Sequence, residues 1–191
     1  EKLDIDALRT AFEEAAARGE VSCEDTGWSN GFNPHFLFSR GNNSNHISGI
    51  NAADSAGRTR IEIAGRASLL RLYRFLKKQP GLEKLEFKLN AAECGVRETR
   101  TIVGLETVTA EEYAAGKKYK DAVSHAFYPI DLHDAKVGLD KRNLAPGIVP
   151  TVPRGALIPR NTRHLLAAGR ILSSDRLANS ALRVQATCMA T

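Results

Sequence analysis

At Pro80-Gly81 the apolar pattern of the chain changes period, and this change limits the fold more than any other feature. Before it, Ile5, Leu8, Phe12 and Ala15 recur at helical spacing, with Glu13, Glu14 and Arg18 elsewhere on the turn and Gly19 as the stop. A longer helix follows: Asp54 or Ser55 can cap it, Leu69, Leu72, Tyr73 and Leu76 form its buried stripe, and Pro80-Gly81 ends it. After that point Leu82 to Leu89 alternates, with Leu85, Phe87 and Leu89 on one face and Lys84, Glu86 and Lys88 on the other. A period of two predicts a half-exposed strand.

The remainder reads as short elements. Thr26 to Asn45 carries Trp28, Phe32, Phe36 and Phe38 among Gly, Asn and Ser, and predicts an irregular loop with one short strand near Phe36-Phe38. Strands are expected over Thr101–Val108 and Ala126–Leu132, the second bent or placed at an edge by Pro129, and a short buried strand over His164–Ala168. Thr109 followed by Glu112 has the form of a capping box. Asp134–Pro153 reads as loop. From Asp175, Leu177, Ala181, Val184 and Cys188 predict one final helix that reaches Thr191 without a cap, a first suggestion of truncation. The sum is an α+β chain: a mixed or antiparallel sheet with flanking helices.

Composition removes several function classes. The apolar share of 42% and charged share of 26% are those of a folded globular chain. The net charge of +5 tolerates an anionic ligand without demanding one, and the basic residues read as scattered, so no nucleic-acid partner is expected. No apolar run is long enough to cross a membrane. Cys23, Cys94 and Cys188 are odd in number and far apart, which argues against a disulfide framework, a zinc site or an iron–sulfur cluster, so no metal is expected. A reduced, cytoplasmic setting is the expectation, with a leader upstream of Glu1 left open.

Three stretches can carry chemistry. Arg97 and Arg100, two residues either side of Glu98-Thr99, can clamp a carboxylate or phosphate, or can simply pair with glutamates. In Tyr128-Pro129-Ile130-Asp131-Leu132-His133-Asp134, strand geometry puts Asp131 and His133 on one face: a possible acid–base pair, or a histidine hydrogen-bonded at a strand end. Leu165 to Arg170 and then Arg183 and Thr187 read as strand, glycine and helix, a turn that admits a cofactor close to the backbone and is also a common connection.

Taken in order, GVRETRTIVG, AFYPIDLHD, LIPRNTRHLLAAGRILSS and ALRVQATCMAT resemble the carboxy-terminal half of a family of FAD-dependent oxidoreductases, bacterial flavoproteins of two-domain, glutathione-reductase-like architecture. The resemblance is good over 51–191 and loose before it. It implies that Gly169, Arg170, Arg183 and Thr187 lie near FAD, and that Arg97, Arg100, Asp131 and His133 lie near a small substrate, anionic in one reading. It implies hydride transfer between that substrate and FAD in the full-length protein. Residues 1–160 would then be the substrate-side domain and 161–191 the terminal strand and helix of the FAD-binding domain. The family's GxGxxG turn is absent, since no two glycines stand two residues apart. The expectation is a carboxy-terminal fragment that lacks its FAD-binding partner domain and binds FAD weakly or not at all. The alternative is a standalone, non-catalytic binding module for an acidic ligand.

Overall fold

The computed structural model describes residues 3–27, 32–38, 45–134 and 138–191, without the side chains of His35 and Phe36. Trp28 and the ring of Phe36, two aromatics of the glycine-rich loop, lie outside the described residues. The chain divides into two compact units, Glu1–Val96 and Arg97–Thr191. The elements are helices and small antiparallel sheets, so the α+β class holds.

In the first unit, α1 (Ile5–Ala17) starts where the Asp4 side chain accepts the backbone N–H groups of Asp6 and Ala7, and it buries Leu8, Phe12 and Ala15 as its spacing requires. Gly19, at φ +74°, turns the chain out of the helix. Asp54 caps α2 (Ser55–Leu76) through the N–H of Gly57. Phe12 meets Phe32 at 5.0 Å and the edge of Phe75 at 5.5 Å, in a core completed by Leu8, Val21, Leu72 and Leu76. Burial of one such ring contributes about 1.5–3 kcal/mol. Asp25, 1% exposed, accepts from the Ser22 N–H, the Ser68 hydroxyl and the Arg71 guanidinium, and so joins the short 3-10 turn Cys23–Thr26 to α2.

Two strands expected in this unit do not form. Pro34–Leu37 is a 3-10 turn, because proline pre-sets φ for a turn and supplies no N–H. Leu82–Leu89 alternates but is no strand: among the described residues no backbone runs beside it, and Phe87 and Leu89 stand exposed. Alternation states which face a strand would bury; a ladder still needs a neighbour.

The second unit holds both sheets. β1 (Ala122–His125) pairs antiparallel with β4 (Thr151–Pro153), and β2 (Ile130–Asp134) pairs antiparallel with β3 (Gly138–Arg142). Of the strand expected over Ala126–Leu132 only Ile130–Leu132 forms, as the start of β2, while residues 126–129 with Pro129 link β1 to β2, and the expected loop Asp134–Pro153 contains β3 and β4. β3, Gly-Leu-Asp-Lys-Arg, has too few apolar residues to announce itself and is recruited by its partner. Thr101–Val108 bends at Leu105-Glu106 and makes isolated bridges instead of a strand, because its N–H groups change partner every few residues: Ile102 to Ile171, Leu105 to Ile158, Val108 to Ser173. His164–Ala168 is neither strand nor buried, with Leu165 and Leu166 54% and 65% exposed.

Thr109 caps α3 (Ala110–Ala114) through the N–H of Glu112, but the Glu112 carboxylate turns away to Lys117 and Tyr119, so half of the expected capping box exists. The last helix is two, α4 (Arg176–Leu182) and α5 (Gln185–Ala190), broken at Val184, whose ψ of 150° is extended. Asp175 caps α4 through Ala178 and also accepts the first N–H of α3 from Ala110 at 2.6 Å. Val108, Tyr113, Ile130, Val152, Leu172, Ala178 and Leu182 share the core between these elements.

Candidate functional site

The alternation of β2 places the site. Ile130 and Leu132 are buried, while Asp131 and His133 share the other face, as the pleat requires. His133 Nε2 stands 3.4 Å from Asp131 Oδ2, with both side chains about four-fifths buried. The Asp131 N–H donates to Ser180 Oγ, whose own O–H donates to the Leu177 carbonyl, so α4 fixes the strand beneath the pair.

Burial pushes the His133 imidazole below its ordinary range; Asp131 works against this, and the nearby guanidinium groups of Arg97 and Arg183 reinforce it. The ring is therefore neutral at pH 7 and able to accept a proton. Arg183, at the carboxy-terminal cap of α4, is 8% exposed in its side chain, donates to Glu98 Oε2 at 2.7 Å and reaches the Asp131 carbonyl at 3.4 Å. Its burial lowers its affinity for a proton, and Glu98 is the leading group that restores it.

Glu98 is the hub: its other oxygen accepts from Arg176 at 3.2 Å, and Arg176 in turn holds Asp134 at 2.6 Å. The end of β2, the start of α4 and the Arg97–Arg100 segment are thereby tied into one charged cluster. Of the residues expected near substrate, Arg97, Asp131 and His133 meet here, while Arg100 is exposed and takes no part in the ion pairs of the described residues. Arg183, expected beside a cofactor with Gly169 and Thr187, belongs to this cluster as well. Sequence reasoning missed Glu98 as a hub and Arg176 altogether. Their partners lie 78 and 85 residues apart along the chain, and no local pattern reports such a distance.

Gly169, Arg170 and Thr187 form a second group. Gly169, at φ +75°, opens a 3-10 turn and packs beside Cys188; its N–H donates to Thr191 Oγ1 at 3.1 Å. Thr187 is buried in α5, and Arg170 is exposed with its carbonyl accepting from Asn179. A dinucleotide diphosphate is held by a glycine turn between a parallel strand and a helix. Both sheets of the described residues are antiparallel, the chain has no GxG, and the Gly169 N–H is already engaged. These residues do not by themselves fit the diphosphate of FAD.

Among the described residues no helix is long and apolar enough to cross a membrane, and no group of His, Cys, Asp and Glu has the makings of a metal site. No curated protein and no solved structure matches the chain. The sequence model of one family, described as FAD dependent oxidoreductase, matches residues 4–191. With nearly its whole length matched, the chain belongs to the FAD dependent oxidoreductase family.

Proposed function

We propose that the chain supplies the substrate side of a FAD-dependent oxidoreductase. Residues 1–160 make up that side, and 161–191 are the terminal piece of the FAD-binding domain, forming one wall of the flavin site with Gly169, Arg170, Arg183 and Thr187. A separate FAD-binding region, carrying the diphosphate grip, completes the enzyme. The hydride exchange between FAD and substrate belongs to that whole protein.

In this reading Arg97 and Arg100 hold an anionic group of a small substrate, and His133, oriented by Asp131, takes or returns a proton. The observation that carries it is the setting of His133: largely buried, 3.4 Å from the Asp131 carboxylate, with its proton affinity lowered by burial and by the charges of Arg97 and Arg183. A neutral imidazole paired with a carboxylate is a ready general base, and nearby arginines favour an anion at the same place. Arg183 links the two parts of the reading, because it touches the Asp131 backbone while its anchor, Glu98, lies next to Arg97 in sequence.

The test is His133→Asn in the full-length enzyme. Turnover falls by roughly two to four powers of ten, the usual weight of a general base, while FAD stays bound. Unchanged turnover refutes the proton role. Asp131→Asn should give a smaller loss and shift the pH profile, since it acts through the imidazole.

A further inference from the structure

The charge of this chain is not spread as the sequence suggests. The chain has 27 Lys and Arg against 22 Asp and Glu; between Ser55 and Lys78 there are seven against one, so the rest of the chain has 20 against 21. The positive excess therefore sits on α2 and the two lysines that follow it. Asp25 neutralises Arg71 and Glu62 neutralises Arg66, whereas Arg58, Arg60, Arg74 and Lys77 make no ion pair among the described residues.

The geometry of α2 gives that charge a direction. Its core face is Gly57, Gly65, Ser68, Leu72, Phe75 and Leu76. On the opposite side Ala56, Arg60, Ile63, Ala67, Leu70, Arg74 and Lys77 are all exposed, Ile63 at 64% and Leu70 at 45%. Their spacing alternates between four and three residues, the register in which one helix packs along another. Over the length of α2 this seam runs about 33 Å. A narrow apolar strip of Ile63, Ala67 and Leu70 is thus closed at each end by unpaired arginine.

We infer that this face docks an acidic amphipathic helix of a partner protein, with apolar residues meeting Ile63 and Leu70 and carboxylates meeting Arg60 and Arg74. Charge selects among the possible occupants. A second copy laid antiparallel would bring Ile63 onto Leu70 but set Arg60 against Arg74, two like charges on one seam. An anionic membrane would use the cations, but two large apolar side chains are too few to hold a helix in the interface, and a bilayer has no use for helical register. The inference is independent of the function proposed above, since α2 lies in the first unit and the His133 cluster in the second.

The experiment is fluorescence anisotropy of the full chain with a labelled peptide of about three heptads, leucine at the seam and glutamate flanking it. Saturable binding that weakens as salt rises is expected. Ile63→Asp with Leu70→Asp, and separately Arg60→Glu with Arg74→Glu, should each weaken it at least about tenfold. All four positions are exposed, so unchanged far-ultraviolet dichroism confirms an intact fold. Three results overturn the inference: no binding, equal binding of a scrambled peptide of the same composition, or binding to phosphatidylserine vesicles with none to the peptide. Concentration-dependent dimerisation abolished by Ile63→Asp also overturns it, because the face would then belong to a second copy.

Discussion

Replacing Glu98 by Gln tests whether the charged cluster of the second unit is held from its centre. Glu98 Oε2 is 2.7 Å from Arg183 Nη1, and Arg183 is 8% exposed in its side chain. Gln removes the charge while keeping shape and one acceptor. It leaves a buried guanidinium with neutral acceptors only, the Gln oxygen and the Asp131 carbonyl at 3.4 Å, and Arg cannot shed its proton. Stripping one partner from a fully buried ion pair costs about 3–5 kcal/mol. Glu98 is itself 29% exposed, so solvent screens part of that, and roughly 2–3 kcal/mol is the expected loss. The assay is urea unfolding together with hydrogen exchange read by mass spectrometry. The midpoint should fall and the amides of β2 and α4 should lose protection, while those of α1 and α2 keep theirs. The contrast is Asp140→Asn: Asp140 also holds an arginine with two bonds, Arg142 at 2.7 and 3.0 Å, but at the surface, and its loss should be small beside that of Glu98→Gln. If both substitutions cost the same, burial of Arg183 is not what makes the cluster matter. If Glu98→Gln costs nothing measurable, the hub is ornamental.

His133 should titrate below the ordinary histidine range in a proton NMR experiment, because burial lowers its affinity for a proton in the folded state. Between the folded and unfolded values the unfolded chain binds more protons, so the His133 contribution to stability is present above the ordinary value near 6.5 and is lost as pH falls through the folded one. His133→Asn should flatten that acid limb, and a titration above the ordinary range would contradict the burial account. Asp175→Ala removes the cap of α4 and the acceptor for Ala110 together, and should cost about twice a single cap, roughly 2–3 kcal/mol in urea unfolding. A cost no larger than that of Thr109→Ala would show that the α3 contact adds nothing. Mixed with FAD and then desalted, the chain should show little or no bound-flavin absorbance, since the Gly169 turn does not fit the diphosphate; a stoichiometric flavin spectrum would overturn that.

Local chemistry was legible in the sequence. The caps Asp54 and Thr109 compete for backbone N–H groups within three residues, and the stripes of α1 and α2 follow from a period that propagates along one element. The shared face of Asp131 and His133 follows from the pleat alone, wherever the strand finds its partner. The four spaced motifs carried the family for the same reason: each is a short run of residues whose order survives without coordinates.

Whatever needed a second stretch of chain was decided in three dimensions. Leu82–Leu89 has a strand's alternation and no ladder partner among the described residues, whereas β3 has little alternation and a good partner in β2, and the ladder decided both. The break at Val184 turns one apparent helix into two, so Arg183 leaves the end of α4 for Glu98 instead of continuing along a single axis. Helical spacing and strand alternation are properties of one segment, and so the residue order sets them. Ion pairs spanning 78 and 85 residues, and the burial that makes them costly to break, exist only after the chain has closed on itself.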